Sequence, residues 1–440
     1  MPSYLSLYGA DGRILTQREQ APGTELNEAG GYSFPVDDWE RLRRFLILGT
    51  EGGTYYTDEQ TLTKDTAKAV LRCIAADGPR VVSTVDDISG KGRAPKNDPA
   101  LFVLALAAAH GNEETRKDAF LALDYVARTG THLLHFAQYV QAERGWGRGL
   151  RRAVANWFLH RPAQNLAYQA VKYAQRDGWS LRDLLRLSHP KTDDPTRNAI
   201  FHYITHGWPS VGAEPHPDEA LMLIWAAERA KVASTGEEVA DIILQHRLPR
   251  EAVPTAFLND GLVQGALLKD MPMTALIRNL GNLTRASVFT DLLSPNKALI
   301  RVLEQLADGN RLLAARVHPF AILIAAKTYA SGHGLRGKNT WTPHKKITAA
   351  LDEAFYLTVQ ATPPTGKRVV VALDVSGSMT AAVQGVPGMS AYEAGAAMTL
   401  LLNRHGDVRT WQFDTKLYDS TIAPATRLDD LYRHLKKIGG

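Results

Sequence analysis

The sequence predicts a mainly α chain, an α-solenoid of stacked helix pairs followed by a partial α/β domain. Three observations carry this. Helical periodicity dominates from about residue 37 to 356, in segments separated by short turns such as HGN, RTGTH, RDGWS and THGWP. The pattern breaks at a Pro/Gly linker, ATPPTGKR at 361–368, and resumes as a β-branched run, VVVAL at 369–373. Finally, 440 residues exceed what one compact core holds, usually about 100–200.

In chain order, residues 1–30 read as a polar N-terminal arm. Segment 98–109 (DPALFVLALAAA) places Asp98 as N-cap and Pro99 at the first helical position. Its nearly all-apolar body must be buried on most sides. Segment 113–128 (EETRKDAFLALDYVAR) opens with acids, which suit the positive end of a helix dipole. It groups Phe120, Leu121, Leu123 and Tyr125 on an apolar side. Further amphipathic segments lie near 131–142, 148–160, 163–176, 180–188, 196–206, 217–231 and 236–247. Later ones lie near 272–283, 294–308, 319–331 and 346–360. No strand-like alternation of useful length interrupts them, and no strict period is visible, so the repeats are degenerate.

Beyond the linker, 369–373 reads as a strand buried on both faces, as continuous β-branched runs are in parallel sheets. A helix over 391–403, strands over 408–413 and 416–422, and a helix over 428–437 complete a β-α-β-β-α order. That order belongs to an open, nucleotide-binding-like sheet. Roughly 75 residues are fewer than a doubly wound sheet needs, so the domain is partial.

Composition narrows the classes. The chain is 45% hydrophobic, 22% charged and 8% aromatic, which excludes wholesale disorder. The net charge of +5 is mild, so any nucleic-acid surface must come from clustering. A single cysteine, Cys73, excludes an internal disulfide framework and fits a reducing, cytoplasmic setting. No stretch approaches the roughly 18 apolar residues of a membrane span, and no signal peptide is visible.

Two constellations carry chemistry. Asp374, Ser376 and Ser378 alternate in the first loop after the β-branched strand, where α/β folds bind ligands. Their hard oxygens suit a divalent cation, Mg²⁺ before others, and Gly377 lets the backbone turn between the hydroxyls. The second is a charge excursion. Residues 144–197 hold eleven Lys/Arg against four Asp, a local excess above the charge of the whole chain. On helices, Arg148, Arg151 and Arg152 share a face, Lys172 and Arg176 are four apart, and Arg182, Arg186 and His189 continue one stripe. Such a surface neutralises phosphates, and arginine grips them bidentately. The interleaved Trp146, Trp157, Tyr173 and Trp179 read as core residues before stacking platforms.

Weaker signals are set aside. Residues 332–337 (GHGLRG) fit GxGxxG but follow a helix, where a dinucleotide site needs a strand; they read as a loop with a basic tip at Arg336 and Lys338. His132 and His135 lack a third ligand, and Cys73 reads as a buried small hydrophobe. No hydrolase triad, zinc motif or phosphate loop appears, so nothing recommends an enzyme.

Several idiosyncratic segments occur in order: 43–56 (RRFLILGTEGGTYY), 178–189 (GWSLRDLLRLSH), 271–281 (MPMTALIRNLG), 318–324 (HPFAILI), 332–338 (GHGLRGK) and 366–379 (GKRVVVALDVSGSM). On these the chain resembles bacterial members of the Ro ribonucleoprotein family, the TROVE-domain RNA-binding proteins. The resemblance implies an N-terminal arm at 1–30, a HEAT-like helical-repeat ring at 31–362 and a partial von Willebrand factor A-like domain at 363–440. It implies small noncoding Y RNA bound on the outer ring surface, and single-stranded 3′ ends of misfolded or aberrant RNA in the ring hole. Matched by motif, Lys172, Arg176 and His189 are the Y RNA contacts, and Asp374, Ser376 and Ser378 are the first loop of a metal-ion-dependent adhesion site. The later Thr and acidic loops that complete such a site in the family are absent from these 440 residues. The implied role is noncoding-RNA quality control by a cytoplasmic monomer, with an exoribonuclease tethered through Y RNA. The alternative is a metal-dependent, adhesion-type protein-binding module. A nuclease lacks the clustered carboxylates that two metals require.

Overall fold

The computed structural model describes residues 13, 15–16, 18–26, 30–49, 59–94, 96–173, 175–176, 178–208, 216–290, 296–334, 338–361, 366–383, 388–404, 407–420, 422–423 and 426–436. Side chains are described at all of these except 59–62, 175–176, 361 and 435–436. The chain forms two compact units, Met1–Glu228 and Arg229–Gly440.

The first unit opens with a short antiparallel pair, β1 (Glu25–Leu26) and β2 (Tyr32–Ser33). Then come α1 (Asp38–Leu48), α2 (Glu59–Gly90), α3 (Asp98–His110), α4 (Glu113–Val126), α5 (Gly130–Glu143), α6 (Arg148–His160) and α7 (Ala163–Lys172). A hairpin of two-residue strands follows, β3 (Gln175–Arg176) with β4 (Trp179–Ser180), and then α8 (Leu181–Ser188) and α9 (Pro195–His206); α10 (Glu219–Val232) begins in this unit and ends past Glu228. Packing runs from neighbour to neighbour: α1 on α2, α3 against α2, α4 and α5, α4 on α6, α6 on α8, and α7 and α8 on α9. These are the stacked helices the sequence predicts.

α2 is two helices joined at a kink. Asp77 leaves helical geometry at φ −160°, ψ 82°, and its carboxylate accepts from the Arg80 amide at 3.0 Å, a cap for the second half. Close approach explains Gly78: a Cβ there would stand 2.0 Å from Thr115 Oγ1 on α4. α3 is buried almost all round, as its composition requires, with Leu101, Val103, Leu104, Ala105 and Ala107 fully enclosed. Its cap differs from expectation. Asn97 holds the N-cap, Asp98 and Pro99 lie inside the first turn, and Asp98 pairs with His135. The Asn97 amide accepts from Ser89 Oγ at 2.7 Å and donates to Val126 O at 2.8 Å, so it ties α2, α3 and α4 together.

Two other expectations are corrected. Leu121 and Tyr125 are 59% and 51% exposed, because the buried stripe of α4 is built from Ala119, Ala122, Leu123 and Val126. And the helix expected over 163–176 stops at Lys172. Gly178, at φ 79°, makes the turn that lets Gln175 pair with Ser180 and Arg176 with Trp179, so Arg176 sits on a strand and not one turn beyond Lys172. Cys73 is buried, and burial pushes its thiol up to about 11.

The second unit comprises α11 (Gly236–His246), α12 (Gly261–Lys269), α13 (Met273–Arg285), α14 (Lys297–Ala307), α15 (Gly309–Ala314), α16 (Pro319–Ser331) and α17 (Lys345–Ala361). It ends with β5 (Val369–Asp374), α18 (Ala391–Asn403), β6 (Val408–Phe413), β7 (Leu417–Ser420) and α19 (Leu428–Lys436). The sheet order is β5-β6-β7, with β5 parallel to β6 and β7 antiparallel. β5 is not buried on both faces. Val370 is 67% exposed and Ala372 is exposed, whereas Leu373 is enclosed beneath Gly395 of α18. Among the described residues, helices cover one face of this edge strand. Residues 362–365 of the linker and Arg336 lie outside the described residues. No helix among the described residues is long and apolar enough to cross a membrane.

This packing makes two outcomes testable. Gly78→Ala should destabilise by about 1–3 kcal/mol through overpacking, and Thr115→Ala should relieve much of that, as thermal unfolding of the double variant will read. His132 is held neutral by burial, its pKa lowered to about 4 from 6.5. The unfolded chain therefore binds the extra proton between pH 6.5 and 4, and stability falls as pH drops through that window. His132→Gln should flatten that part of a stability–pH profile; an unchanged slope would show that other groups set it.

Candidate nucleic-acid interface

α6 divides its side chains sharply. Leu150, Ala153, Val154, Trp157 and Phe158 are buried, while Arg148, Arg151 and Arg152 are exposed. Its angular position is set at its far end. The Trp157 indole donates to Ala127 O at 2.6 Å. Arg161, its side chain only 11% exposed, lies 3.8 Å over the Trp157 ring. Its guanidinium donates to Asp124 Oδ1 at 3.2 Å, Asp124 O at 3.1 Å and Ala127 O at 2.8 Å. These bonds satisfy carbonyls at the end of α4 that have no helical partner.

α8, packed on α6, repeats the division: Leu181, Leu184, Leu185 and Ser188 face inward, and Arg182 and Arg186 face out. A capping box starts it, with Ser180 and Asp183 bonded reciprocally. It ends on His189, exposed and in the left-handed region at φ 48°, ψ 53°. A non-glycine residue there carries about 1 kcal/mol of strain. Nearby in the chain, Lys172 at the end of α7 is half-buried, donates to Tyr168 OH at 3.0 Å and lies 5.2 and 5.3 Å from the Tyr168 and Tyr173 ring centroids. The backbone of Arg176 belongs to β3; its side chain lies outside the described residues.

The charge excursion thus splits into two populations. Arg161 is structural. So is Arg197, which donates to Phe158 O and Arg161 O, both at 2.8 Å, and reaches Asp194 at 3.6 Å. Arg144 donates to Ala108 O at 2.9 Å. By contrast, Arg148, Arg151, Arg152, Arg182 and Arg186 form no ion pair among the described residues, since Asp183 caps α8 and Asp194 caps α9. Three of the four aromatics belong to the core, as expected: Trp157 is fully buried, and Trp146 and Trp179 pack on the core with ring centroids 5.6 Å apart, whereas Tyr173 is half-buried with its ring beside Lys172. Sequence reasoning misses the exposed pair Leu121 and Tyr125, on a helix that packs against α6, because residue size alone marks them as part of the apolar stripe.

The second constellation is also assembled. Asp374 ends β5, its Oδ1 accepts from the Ser376 amide at 2.9 Å, and the Ser376 and Ser378 hydroxyls are 3.0 Å apart. One carboxylate and two adjacent hydroxyls thus share the loop at the carboxyl end of β5, and hard oxygens of that kind fit a small divalent cation. Among the described residues, no group of three or more His, Cys, Asp or Glu could hold a metal.

A helical repeat with a partitioned set of arginines, followed by an α/β segment with a mixed three-stranded sheet, defines the class of molecule. Known proteins narrow it further. The TROVE domain model matches residues 25–328, and the Ro60 vWA domain model matches residues 368–440. The chain belongs to the TROVE-domain Ro family. It is 42% identical over 407 residues to the RNA-binding protein RO60 of Deinococcus radiodurans, covering 92% of this chain and 75% of that one. It is 32% identical over 480 residues to the RNA-binding protein RO60 of Caenorhabditis elegans, covering 92% and 74%. The crystal structure of the Deinococcus radiodurans RO (RSR) protein superposes with a TM-score of 0.79 at 41% identity, covering 91% of this chain and 80% of that chain.

The two arginine populations should separate in unfolding experiments. Arg161→Ala, which leaves the Asp124 carbonyl without its donor and takes one donor each from the Asp124 carboxylate and Ala127 O, should cost about 1–3 kcal/mol. Arg151→Gln should stay within about 0.5 kcal/mol, as surface changes do. His189→Gly should raise stability by several tenths of a kcal/mol by releasing the left-handed strain.

Proposed function

We propose that this chain is a non-enzymatic RNA-binding scaffold that holds small noncoding Y RNA on the face formed by α6, the end of α7, β3 and α8. Lys172, Arg176 and His189 are its central contacts, and Arg148, Arg151, Arg152, Arg182 and Arg186 extend it. The same scaffold takes unpaired 3′ ends of misfolded or aberrant RNA, acts in noncoding-RNA quality control in the cytoplasm as a monomer, and cooperates with an exoribonuclease tethered through Y RNA. One observation carries the reading: five exposed arginines on two packed helices lack carboxylate partners among the described residues, whereas their neighbours Arg161 and Arg197 are used internally. An array of free guanidinium groups is built for phosphates, and RNA is read largely through its backbone and shape. The relatives' name, RNA-binding protein, supports RNA binding itself.

The test is a titration of Y-like RNA across salt concentrations. Arg151→Gln with Arg182→Gln and Arg186→Gln should weaken binding and reduce the salt slope by about 0.7–0.9 for every phosphate no longer neutralised. Lys172→Ala with Arg176→Ala should do the same, and a slope that does not move would overturn the assignment of this face.

The Asp374, Ser376 and Ser378 oxygens support a second reading, in which bound Mg²⁺ supplies a positive charge that grips a partner's carboxylate. Chelation separates the two: RNA binding should survive EDTA, and a partner captured through the metal should not.

A further inference from the structure

α13 and α16 pack together in the second unit and leave between them a cleft of about 430 Å³. Ile324 and Ala325 of α16 form one wall, Ile277 and Gly281 of α13 the other, and Trp341 closes one end. Trp341 is seated firmly. Its indole donates to Tyr329 O at 2.9 Å, its backbone amide donates to Gly332 O at 2.9 Å, and its ring lies near-parallel to Tyr329, centroids 6.2 Å apart. The six-membered ring sits so close to α13 that a Cβ on Gly281 would stand 2.8 Å from it. Only glycine leaves that space.

Polar groups gather at the rim. The Asn279 amide donates to Ala275 O at 2.8 Å, the Asn282 amide donates to Asn279 Oδ1 at 3.3 Å, and Asn339 Nδ2 stands 3.5 Å from Asn282 Oδ1. This relay orients Asn282 and Asn339 and leaves amide groups at the cleft, the donor–acceptor pairing that reads base edges. The exposed Arg278 stands at the mouth with no ion pair among the described residues, and none of the cleft's lining residues is acidic. A cleft lined by aliphatic side chains, one indole, two amides and one guanidinium unpaired among the described residues fits a planar heterocycle that carries an anion.

We propose that this cleft binds one nucleotide, with its base between the aliphatic walls against Trp341, its edge on Asn282 and Asn339, and its phosphate on Arg278. The volume lies within the usual range for small-ligand sites. The nucleotide is either free or an unpaired residue of a bound RNA, and the chemistry is the same for both. The assignment rests on the cleft alone and does not depend on the arginine face of the first unit.

The experiment uses the full chain, titrated by calorimetry with AMP, UMP and ribose 5-phosphate, and by fluorescence anisotropy with a labelled single-stranded oligoadenylate. Either or both nucleotides should bind at one saturable site at least about tenfold more tightly than ribose 5-phosphate, because the sugar phosphate has no base to stack on Trp341. Ala325→Leu, which fills the slot, should weaken binding at least about tenfold. Arg278→Gln, at an exposed position where folding is not at risk, should weaken it severalfold and reduce its salt dependence. If AMP and UMP bind no better than ribose 5-phosphate, but the oligoadenylate is weakened by both variants, the ligand is RNA-borne. If neither nucleotide nor oligonucleotide binding responds to Arg278→Gln or to a folded Ala325→Leu variant, the proposal falls. Y-like RNA binding in the same variants should be unchanged, so failure here is separable from failure of the arginine face.

Discussion

Trp157 and Arg161, four residues apart at the end of α6, converge on the carbonyls that finish α4. Unpaired carbonyls in a packed interior are expensive, so this junction leaves α6 little rotational freedom. With that rotation fixed, Arg148, Arg151 and Arg152 have only the outer side to occupy, and α8 inherits its position by packing on α6. The cationic face is thus a consequence of how a core is closed. It also explains why charge counting overstates the face: Arg161 and Arg197 answer the same interior demand for donors.

Much of this organisation is legible in the sequence because it depends on period. The buried-outward alternation of α6 follows from three- and four-residue spacing of Leu150, Val154 and Trp157, and the β-α-β-β-α order follows from where that spacing gives way to strand-like runs. What is not legible depends on tertiary partners. Nothing local distinguishes Arg161 from Arg151; only the nearness of Asp124 and Ala127, more than thirty residues away, does so. Likewise VVVAL reads as doubly buried from composition, yet its second face needs a layer that the described residues do not supply.

The boundary after Lys172 is set from outside the segment it ends. Helical spacing continues on paper through Arg176, but Gly178 favours a left-handed turn and Ser180 begins the next helix as its cap. Two strong local signals override moderate propensity between them. The candidate metal loop shows the opposite case. Strand end, alternating oxygens and glycine all lie within five residues, so the loop is legible from sequence alone, and its Ser376 amide bonds Asp374 while its two hydroxyls meet.

α3 is governed differently. A helix that is apolar on every side gives its neighbours no stripe by which to recognise its orientation, so hydrophobicity cannot choose its rotational register. The choice passes to the polar residues at its entrance: Asn97, bonded to Ser89 and Val126, and Asp98, paired with His135. Volume-conserving exchanges along the body of α3 leave that register intact, whereas loss of either peg frees a greased rod to turn at the centre of the first unit.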